Sequence, residues 1–496
     1  MTSMEYIIQG FSISCLPINL LYCLIGVFFG TLIGVIPGVG PVTGVALLIP
    51  LTFGADPISA LIMMAGIYYG SQYGGSTTSI LLGVPGEPTS VATVFDGYQM
   101  ALQGRAGPAL GISAFGSFIG GTIAIMGMAF IAPPLAKLAL KFGPAELFVV
   151  MVLGISIITY VARFSVRRAV IIAAFGLFIS SVGQDLVTGE RRFVFGIPEF
   201  AEGIDFIPVV MGLYGISEIL LNIEQTLGEN VFIEKIKNLF PSLKDWRDSI
   251  FPILRGTGIG FFCGVVPGTG AAVSTFASYG IEKRFSKHPE RFGKGAIEGV
   301  AAPETANNAS VQSAFIPLLT LGIPTTATAA ILFGALMIHG YTPGPTLILQ
   351  HPDFFWSLTI SMWVGNIMCL VLNLPLIGIW VKVLKIPYSI LVSNIIIFCI
   401  IGSYCIRNTM IDVITMLVFG VIGYLMNKFD YEPAPMVMTL ILGDRLEYSL
   451  RQALIISGGS FSIFFSSPIS IIASGLAAFF LLSPIFTRKR PALGAD

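Results

Sequence analysis

The 496-residue chain is 54% hydrophobic and only 11% charged, with no net charge and a mean hydropathy of +0.86. Soluble domains carry roughly 25% charged residues, and their cores grow only as the domain does, so this much apolar surface has no use in water. A bilayer solvates it directly, and at about 20 residues per crossing the chain has room for roughly ten to fourteen spans of an all-α polytopic membrane protein. With Lys and Arg balanced by Asp and Glu there is no basic patch, and nucleic acid is excluded as a partner.

In chain order, the first 104 residues contain no Lys or Arg. No cleavable signal peptide is therefore expected, because its positive start is missing, and the N-terminus is expected outside. Residues 18–100 are apolar but cut repeatedly by Gly and Pro, which reads as broken helices or re-entrant hairpins. Uninterrupted spans follow at 109–132, 145–162, 167–184 and 205–222, closing a first unit over 1–222. The mixed charges of 223–249 read as a cytoplasmic or interfacial linker. A second broken region, 250–345, precedes spans at 353–375, 388–405, 412–427 and 468–487, a second unit over 250–487 with a cytoplasmic tail at 488–496. Cations cluster at Arg163/Arg167/Arg168, at Lys283/Arg284/Lys287/Arg291/Lys294 and at Arg488/Lys489/Arg490. The positive-inside rule puts all three in the cytoplasm, and Lys137 and Lys141 then fall outside, against the trend.

The broken regions repeat one another. Gly30-Thr-Leu-Ile-Gly-Val-Ile-Pro-Gly-Val-Gly40 is echoed by Gly258-Ile-Gly-Phe-Phe-Cys-Gly-Val-Val-Pro-Gly-Thr-Gly270, with Pro37 and Pro267 standing 230 positions apart. Each copy carries a second break, Leu82-Gly-Val-Pro85 and Leu321-Gly-Ile-Pro324. Between its breaks the first copy has the cation-free Phe53-Gly-Ala-Asp-Pro57, where the second has the five-cation loop 283–294. Equivalent loops on opposite sides of a membrane are what an inverted repeat predicts.

Such breaks have a chemistry. Pro41 suits a first helical turn, and Gly38 and Gly40 let backbone amides approach a ligand. A helix starting there, with Thr43 in its first turn, aims its free N–H groups and positive dipole end inward, which suits a carboxylate. Gly268, Thr269 and Gly270 supply a second such end, and Thr325 and Thr326 add hydroxyls after the second break. The alternative reading of these small residues is close helix packing. The polar run Tyr68–Ser79, with Ser71, Ser76 and Thr77, must face a cavity or other protein. In Pro303-Glu-Thr-Ala-Asn-Asn-Ala-Ser310, helical spacing puts Glu304, Asn307 and Asn308 on one face, where their oxygens suit Na⁺ or Glu304 exchanges a proton. Interhelical hydrogen bonding is the bland alternative for these runs. Glu87, after the first break, is read as the partner of a helix N-terminus. The six cysteines lie mostly in apolar stretches without metal-like spacing, and His288, His339 and His351 do not cluster, so neither a metal centre nor an organic cofactor is expected.

The same motifs resemble a family. Gly34-Val-Ile-Pro-Gly-Val-Gly-Pro41, Tyr69-Gly-Ser-Gln-Tyr-Gly-Gly-Ser76, Asp96-Gly-Tyr98 with Gly104-Arg-Ala-Gly-Pro108, Phe193-Val-Phe-Gly196 and, most specifically, the stretch from Glu282 to Asn308 are similar to the large membrane subunit of the tripartite tricarboxylate transporters, the TctA type. The likeness runs from about residue 20 to 485. It implies a secondary transporter in a bacterial inner membrane, driven by a Na⁺ or H⁺ gradient and carrying a di- or tricarboxylate. A small four-span membrane subunit and a periplasmic solute-binding protein are the implied partners. The chain departs from the family pattern at Gly83, where relatives often have Asn, and at Thr325, where they tend to have Gly. Of the rivals, an anion channel more often uses charged rings around one axis, and an intramembrane enzyme needs a convergent catalytic set that the sequence does not offer.

Overall fold

The computed structural model describes residues 3–36, 40–161, 165–185, 187–224, 236, 238–384 and 388–486. It is built of helices, with one two-residue antiparallel pairing at Gly183–Gln184 and Arg191–Arg192. The first unit contains α1 (Ser3–Ser14), α2 (Pro17–Val35), α3 (Gly40–Leu48), α4 (Pro57–Leu82), α5 (Val91–Leu102), α6 (Ala106–Ala139), α7 (Pro144–Val161), α8 (Val166–Ser180), α9 (Phe206–Val210) and α10 (Ser217–Glu224). A wide turn at Met211–Ile216 joins the last two into one span. The second opens with α11 (Leu243–Val265), α12 (Gly270–Phe285), α13 (Glu298–Ser313), α14 (Phe315–Leu321), α15 (Ala327–Ile338) and α16 (Pro345–Gln350). It continues through α17 (Pro352–Asn373), α18 (Ile377–Val383), α19 (Tyr388–Arg407), α20 (Met410–Lys428), α21 (Ala434–Ile456) and α22 (Pro468–Phe486).

Each of the eight uninterrupted spans expected from sequence coincides with a helix or helix pair. Among the described residues, α2, α6, α17 and α20 are long and apolar enough to cross a membrane by themselves, and six shorter helices are also apolar. Two stretches differ from the sequence reading, which makes 224–248 an interfacial or cytoplasmic helix and gives no span at 434–456. Helix α11 starts at Leu243, inside the segment read as a linker, where Ser242 accepts from Asp245 N and Asp245 returns the bond to Ser242 N at 2.9 Å. Helix α21 escaped a hydropathy reading because it carries Asp444, Arg445, Glu447 and Arg451. These charges are largely matched within the protein: Arg192 meets Glu447 at 3.0 Å and Arg451 meets Asp185 at 3.0 Å, tying α21 to the short hairpin after α8. Arg445 donates to Pro343 O at 3.1 Å.

The two copies are assembled identically. In the first, a Cβ added at Gly26, Gly30 or Gly34 of α2 would collide with the backbone at Met63, Ile67 or Ser71 of α4. In the second, a Cβ at Gly256, Gly260 or Gly264 of α11 would collide with the backbone at Ala302, Ala306 or Ser310 of α13. A glycine every fourth residue lines one face of each helix, so the paired backbones touch along three turns. Both pairs run parallel, and both lead from this contact into a break.

Contacts with α6 fix how the copies face each other. Gly116 lies near Ile253 and Gly127 lies against Phe261, so α11 runs parallel to α6. Ser76 and Ser113 converge on the same carboxylate, while Tyr73 and Thr122 converge on Asn366, so α4 runs antiparallel to α6. The parallel pair α2–α4 is therefore antiparallel to the parallel pair α11–α13: the opening halves of the two copies are inverted. Their centre is formed by α4, buried from Ser59 to Leu81, and α13, buried from Gly299 to Ser313.

Gly260→Ala is expected to lower stability by about 1–3 kcal/mol, the cost of overpacking a closed contact. Gly258→Ala, where a Cβ meets nothing within 4 Å, is expected to be neutral or slightly stabilising. Thermal unfolding of the two variants in detergent, followed by size-exclusion chromatography, makes the comparison. Equal behaviour would contradict the packing described.

Candidate functional site

The polar run of α4 does not face lipid. It meets α13, and the meeting point is Glu304, a carboxylate fully buried in the middle of the assembly. Three hydroxyls from three helices converge on it: Ser76 of α4 and Thr93 of α5 close short hydrogen bonds to its two oxygens, and Ser113 of α6 donates to Oε2 at 3.1 Å. Ser76 has one proton and two acceptors in reach, Glu304 and its own helix carbonyl Gln72 O at 3.0 Å. A charged Glu304 takes that proton as acceptor; a protonated Glu304 donates to Ser76 Oγ, which turns to Gln72 O. The cage therefore satisfies the carboxyl group in either state. Asn308 Nδ2 bonds Glu304 O at 3.3 Å.

The breaks gather around this cage. Gly83 and Gly322 close α4 and α14 at the same φ of +68°, the left-handed conformation that glycine adopts without cost. Asparagine also tolerates that conformation, which gives the Gly83 departure a physical basis. In the second copy the two breaks touch: Gly268 N donates to Thr325 O at 3.1 Å, and a Cβ at Gly270 would meet Thr326. Thr326 caps α15 by accepting from Ala329 N at 3.1 Å, and its hydroxyl lies 3.1 Å from Tyr68 Oη, which bridges the repeats. In the first copy, Gly86 is pressed against Gly34 O and Gly75, so the two breaks approach there as well. Thr78 Oγ1 ties α4 to Val35 O at 2.9 Å.

Not every residue singled out from sequence joins the convergence. Gly38 lies outside the described residues, and Gly40 starts α3 at φ +59° with open space beside it. Thr43 is buried on α3 and packs towards Gly215 of the wide turn. Thr269 spends its hydroxyl on Cys263 O and Val266 O, finishing its own helix. Ser71 bonds Tyr68 O at 2.8 Å, and Thr77 is buried on α4. Two groups result: Ser76 and Asn308 bond Glu304 between α4 and α13, with Asn307 buried next to Asn308, and Tyr68 meets Thr326, whose break, including Thr325, touches Gly268 and Gly270. Thr93 and Ser113 belong to the cage and had no signal in the sequence, since each is one hydroxyl in an otherwise apolar helix.

The convergence is also where buried polar groups go unpaired. Asn307 Nδ2 and Oδ1, Asn308 Oδ1, both ends of Gln312, Thr325 Oγ1, Ser79 Oγ and both oxygens of Glu87 have no hydrogen-bond partner within the protein. Native interiors leave few such groups, because each one costs the desolvation of a donor or acceptor. These nine of the fourteen unpaired buried atoms among the described residues lie on α4, on α13 or in the breaks that follow Leu82 and Leu321. These atoms include both N–H donors and oxygen acceptors.

A profile of the tripartite tricarboxylate transporter TctA family matches residues 20–438. The chain belongs to the TctA family. It is also 47% identical over 484 residues to an uncharacterized 52.8 kDa protein of the TAR-I ttuC' 3' region of Agrobacterium vitis, covering 97% of this chain and 96% of that relative. A second relative, from the TAR-II ttuC' 3' region of the same organism, is 48% identical over 234 residues, 47% of this chain and 97% of the relative. A protein of Methanocaldococcus jannaschii, MJ1079, is 32% identical over 111 residues, 22% of this chain and 27% of that protein. No solved structure matches the chain. The TctA-family chain is thus a multi-pass membrane transporter component, and its buried polar centre belongs to a transport protein.

The stretch Glu282–Asn308 is anchored from the first repeat. Asp96 of α5, itself buried, accepts from three amides of one loop, Gly293 N at 2.9 Å, Gly295 N at 2.8 Å and Ala296 N at 2.7 Å, and from Tyr279 Oη at 2.9 Å. Gln103 adds a bond to Lys294 O at 2.8 Å. One carboxylate thereby fixes the entry of α13, and with it the height of Glu304 against Ser76. Asp96→Ala leaves three amides, two of them buried, without this acceptor, each charge-assisted bond being worth about 1.5–3 kcal/mol. Trypsin cleavage at Lys287, Arg291 or Lys294 is expected to accelerate at least about tenfold in this variant. A cleavage rate equal to wild type would contradict the anchoring role.

Proposed function

We propose that this chain is the large transmembrane subunit of a cation-coupled secondary transporter that imports a small di- or tricarboxylate across a bacterial inner membrane. The observation that carries the proposal is the Glu304 cage set beside unpaired amides and hydroxyls at the convergence of four helix breaks. A buried carboxyl group that is satisfied with or without its proton is suited to coupling. The neighbouring donors, Asn307 Nδ2, Gln312 Nε2 and Thr325 Oγ1, are suited to a carboxylate substrate. Ser76 serves the cage, and Tyr68 with Thr326 closes one wall. The coupling ion is H⁺ or Na⁺, with Glu304, Asn307 and Asn308 as the residues through which it acts.

Family membership supports the rest of the assembly: a small four-span membrane subunit as partner and a periplasmic solute-binding protein that delivers the acid. Orientation follows from the cation clusters, with the loop 283–294 and the C-terminus cytoplasmic. The helix contacts are consistent with it, since Arg105 at the α5–α6 turn pairs with Asp245 at the start of α11 at 2.7 Å, beside the same loop.

In proteoliposomes with the partner subunit and binding protein, Glu304→Gln is expected to reduce uptake of labelled di- or tricarboxylate at least about tenfold, with assembly intact. Asn307→Ala is expected to reduce it as well. Wild-type uptake in both variants would overturn the assignment.

A further inference from the structure

The charged side chains of α21 are not equally matched. Glu447 is held by Arg192 at 3.0 Å and by Arg451, and Arg451 also meets Asp185 at 3.0 Å. Asp444 is exposed, and its electrostatic neighbours are Glu447 and Arg192. Arg445, half-buried, closes no ion pair among the described residues. Its guanidinium donates to Pro343 O at 3.1 Å and to Met337 Sδ at 3.2 Å, and lies 4.8 Å from the centre of the Phe333 ring. All three partners are neutral, and most of its five N–H groups stay unused.

Its place in the fold makes that unusual. Arg445 stands eleven residues from either end of the 23-residue α21, about 16 Å along the axis. The helix runs beside α8 throughout. Arg168 at the foot of α8 bonds Phe429 O at 2.9 Å just before α21, Gly176 packs on Met436 and Thr439, Gly443 packs on Ser180, and Arg451 reaches Asp185 beyond the far end of α8. Since α8 is one of the expected spans, the midpoint of α21 lies near mid-depth, where a charged side chain is costly and marks a function. What Arg445 faces is the second break. A Cβ at Gly322 would lie 3.3 Å from Arg445 Nη1. Three residues further along that break, Thr325 is 1% exposed and its hydroxyl has no partner.

We propose that Arg445 is the fixed cation that receives one carboxylate group of the transported acid at the second break, with the Thr325 hydroxyl of that break as a second donor. This rests on the transport reading above and names the residue that neutralises its anion. A guanidinium stays charged at any physiological pH and presents paired N–H groups that match the two oxygens of a carboxylate. Glu304 and Arg445 then have separate tasks: the cage serves the coupling ion, and the arginine serves the acid.

The test follows thermal stability of the purified full chain in detergent, at fixed pH, Na⁺ concentration and ionic strength, titrated with succinate, glutarate and citrate. The acid that stabilises wild type best is then compared with its own monoamide, which keeps the size of the acid and removes one negative charge. Wild type is expected to respond saturably and to prefer the acid over the monoamide at least about tenfold. Arg445→Gln is expected to weaken the apparent affinity for the acid at least about tenfold and to bring the preference close to one. Arg445→Lys keeps the charge without the fork and is expected to fall between the two. A folding defect lowers the unliganded midpoint in Arg445→Gln but leaves the acid-to-monoamide preference as in wild type, so the preference separates the two causes. The proposal is overturned by a wild type that none of the acids stabilises, or by an undiminished preference in Arg445→Gln. An acid response lost in Arg445→Gln, in a protein that moves no carboxylate in proteoliposomes, would reject the transport reading and leave the anion site standing. Carboxylate uptake together with an undiminished preference in Arg445→Gln would do the reverse.

Discussion

Within lipid there is no hydrophobic force to press one apolar helix on another, so close packing must come from backbone shape. The glycine faces of α2 and α11 supply it. Gly26, Gly30 and Gly34 seat α2 on the α4 backbone, and Gly256, Gly260 and Gly264 seat α11 on the α13 backbone. Without side chains between them these pairs are held at fixed height, and the height determines everything downstream. It sets where the chain leaves α2 and α11 into the proline breaks, and it sets which residues of α4 and α13 oppose each other.

From that registration the polar centre follows. Helices α4 and α13 are surrounded by protein, so their hydroxyls and amides must find partners inside the molecule or in what it binds. Glu304 finds three hydroxyls, one each from α4, α5 and α6, drawing both repeats into a single site. Asn307, Gln312, Thr325 and Glu87 find none. Glu304, closed by three hydroxyls, and Glu87, whose oxygens close no such bond, are thus set apart more sharply than residue type alone would set them. The Asp96 anchor keeps the contrast in place by holding the entry of α13 from the opposite repeat.

The repeat, its breaks and most spans were readable from the sequence because each leaves a local mark: a Gly-Val-Ile-Pro-Gly motif, its echo near Pro267, and long apolar runs. The polar runs were readable for the same reason, as 12 uncharged residues from Tyr68 to Ser79 within apolar sequence. What sequence could not supply was partnership. Thr93 and Ser113 become part of the Glu304 cage only through tertiary contact, and the Thr269 hydroxyl turns back on the end of α11. Helix α21 was hidden for an electrostatic reason, since its charges are matched by Arg192, Asp185 and backbone carbonyls that lie far off in the chain. The glycine faces were visible at i, i+4 and i+8 but indistinguishable from glycines placed for breaks until the facing backbones were known.

The central claim is that the inverted breaks form one alternately occupied carboxylate site rather than an open path. Counterflow decides it most directly: proteoliposomes containing the transporter, preloaded with unlabelled di- or tricarboxylate, receive a trace of the labelled acid with no ion gradient. A carrier predicts transient accumulation of label above equilibrium, abolished when the interior is empty. Simple equilibration without overshoot, at a rate indifferent to the preload, would contradict the account.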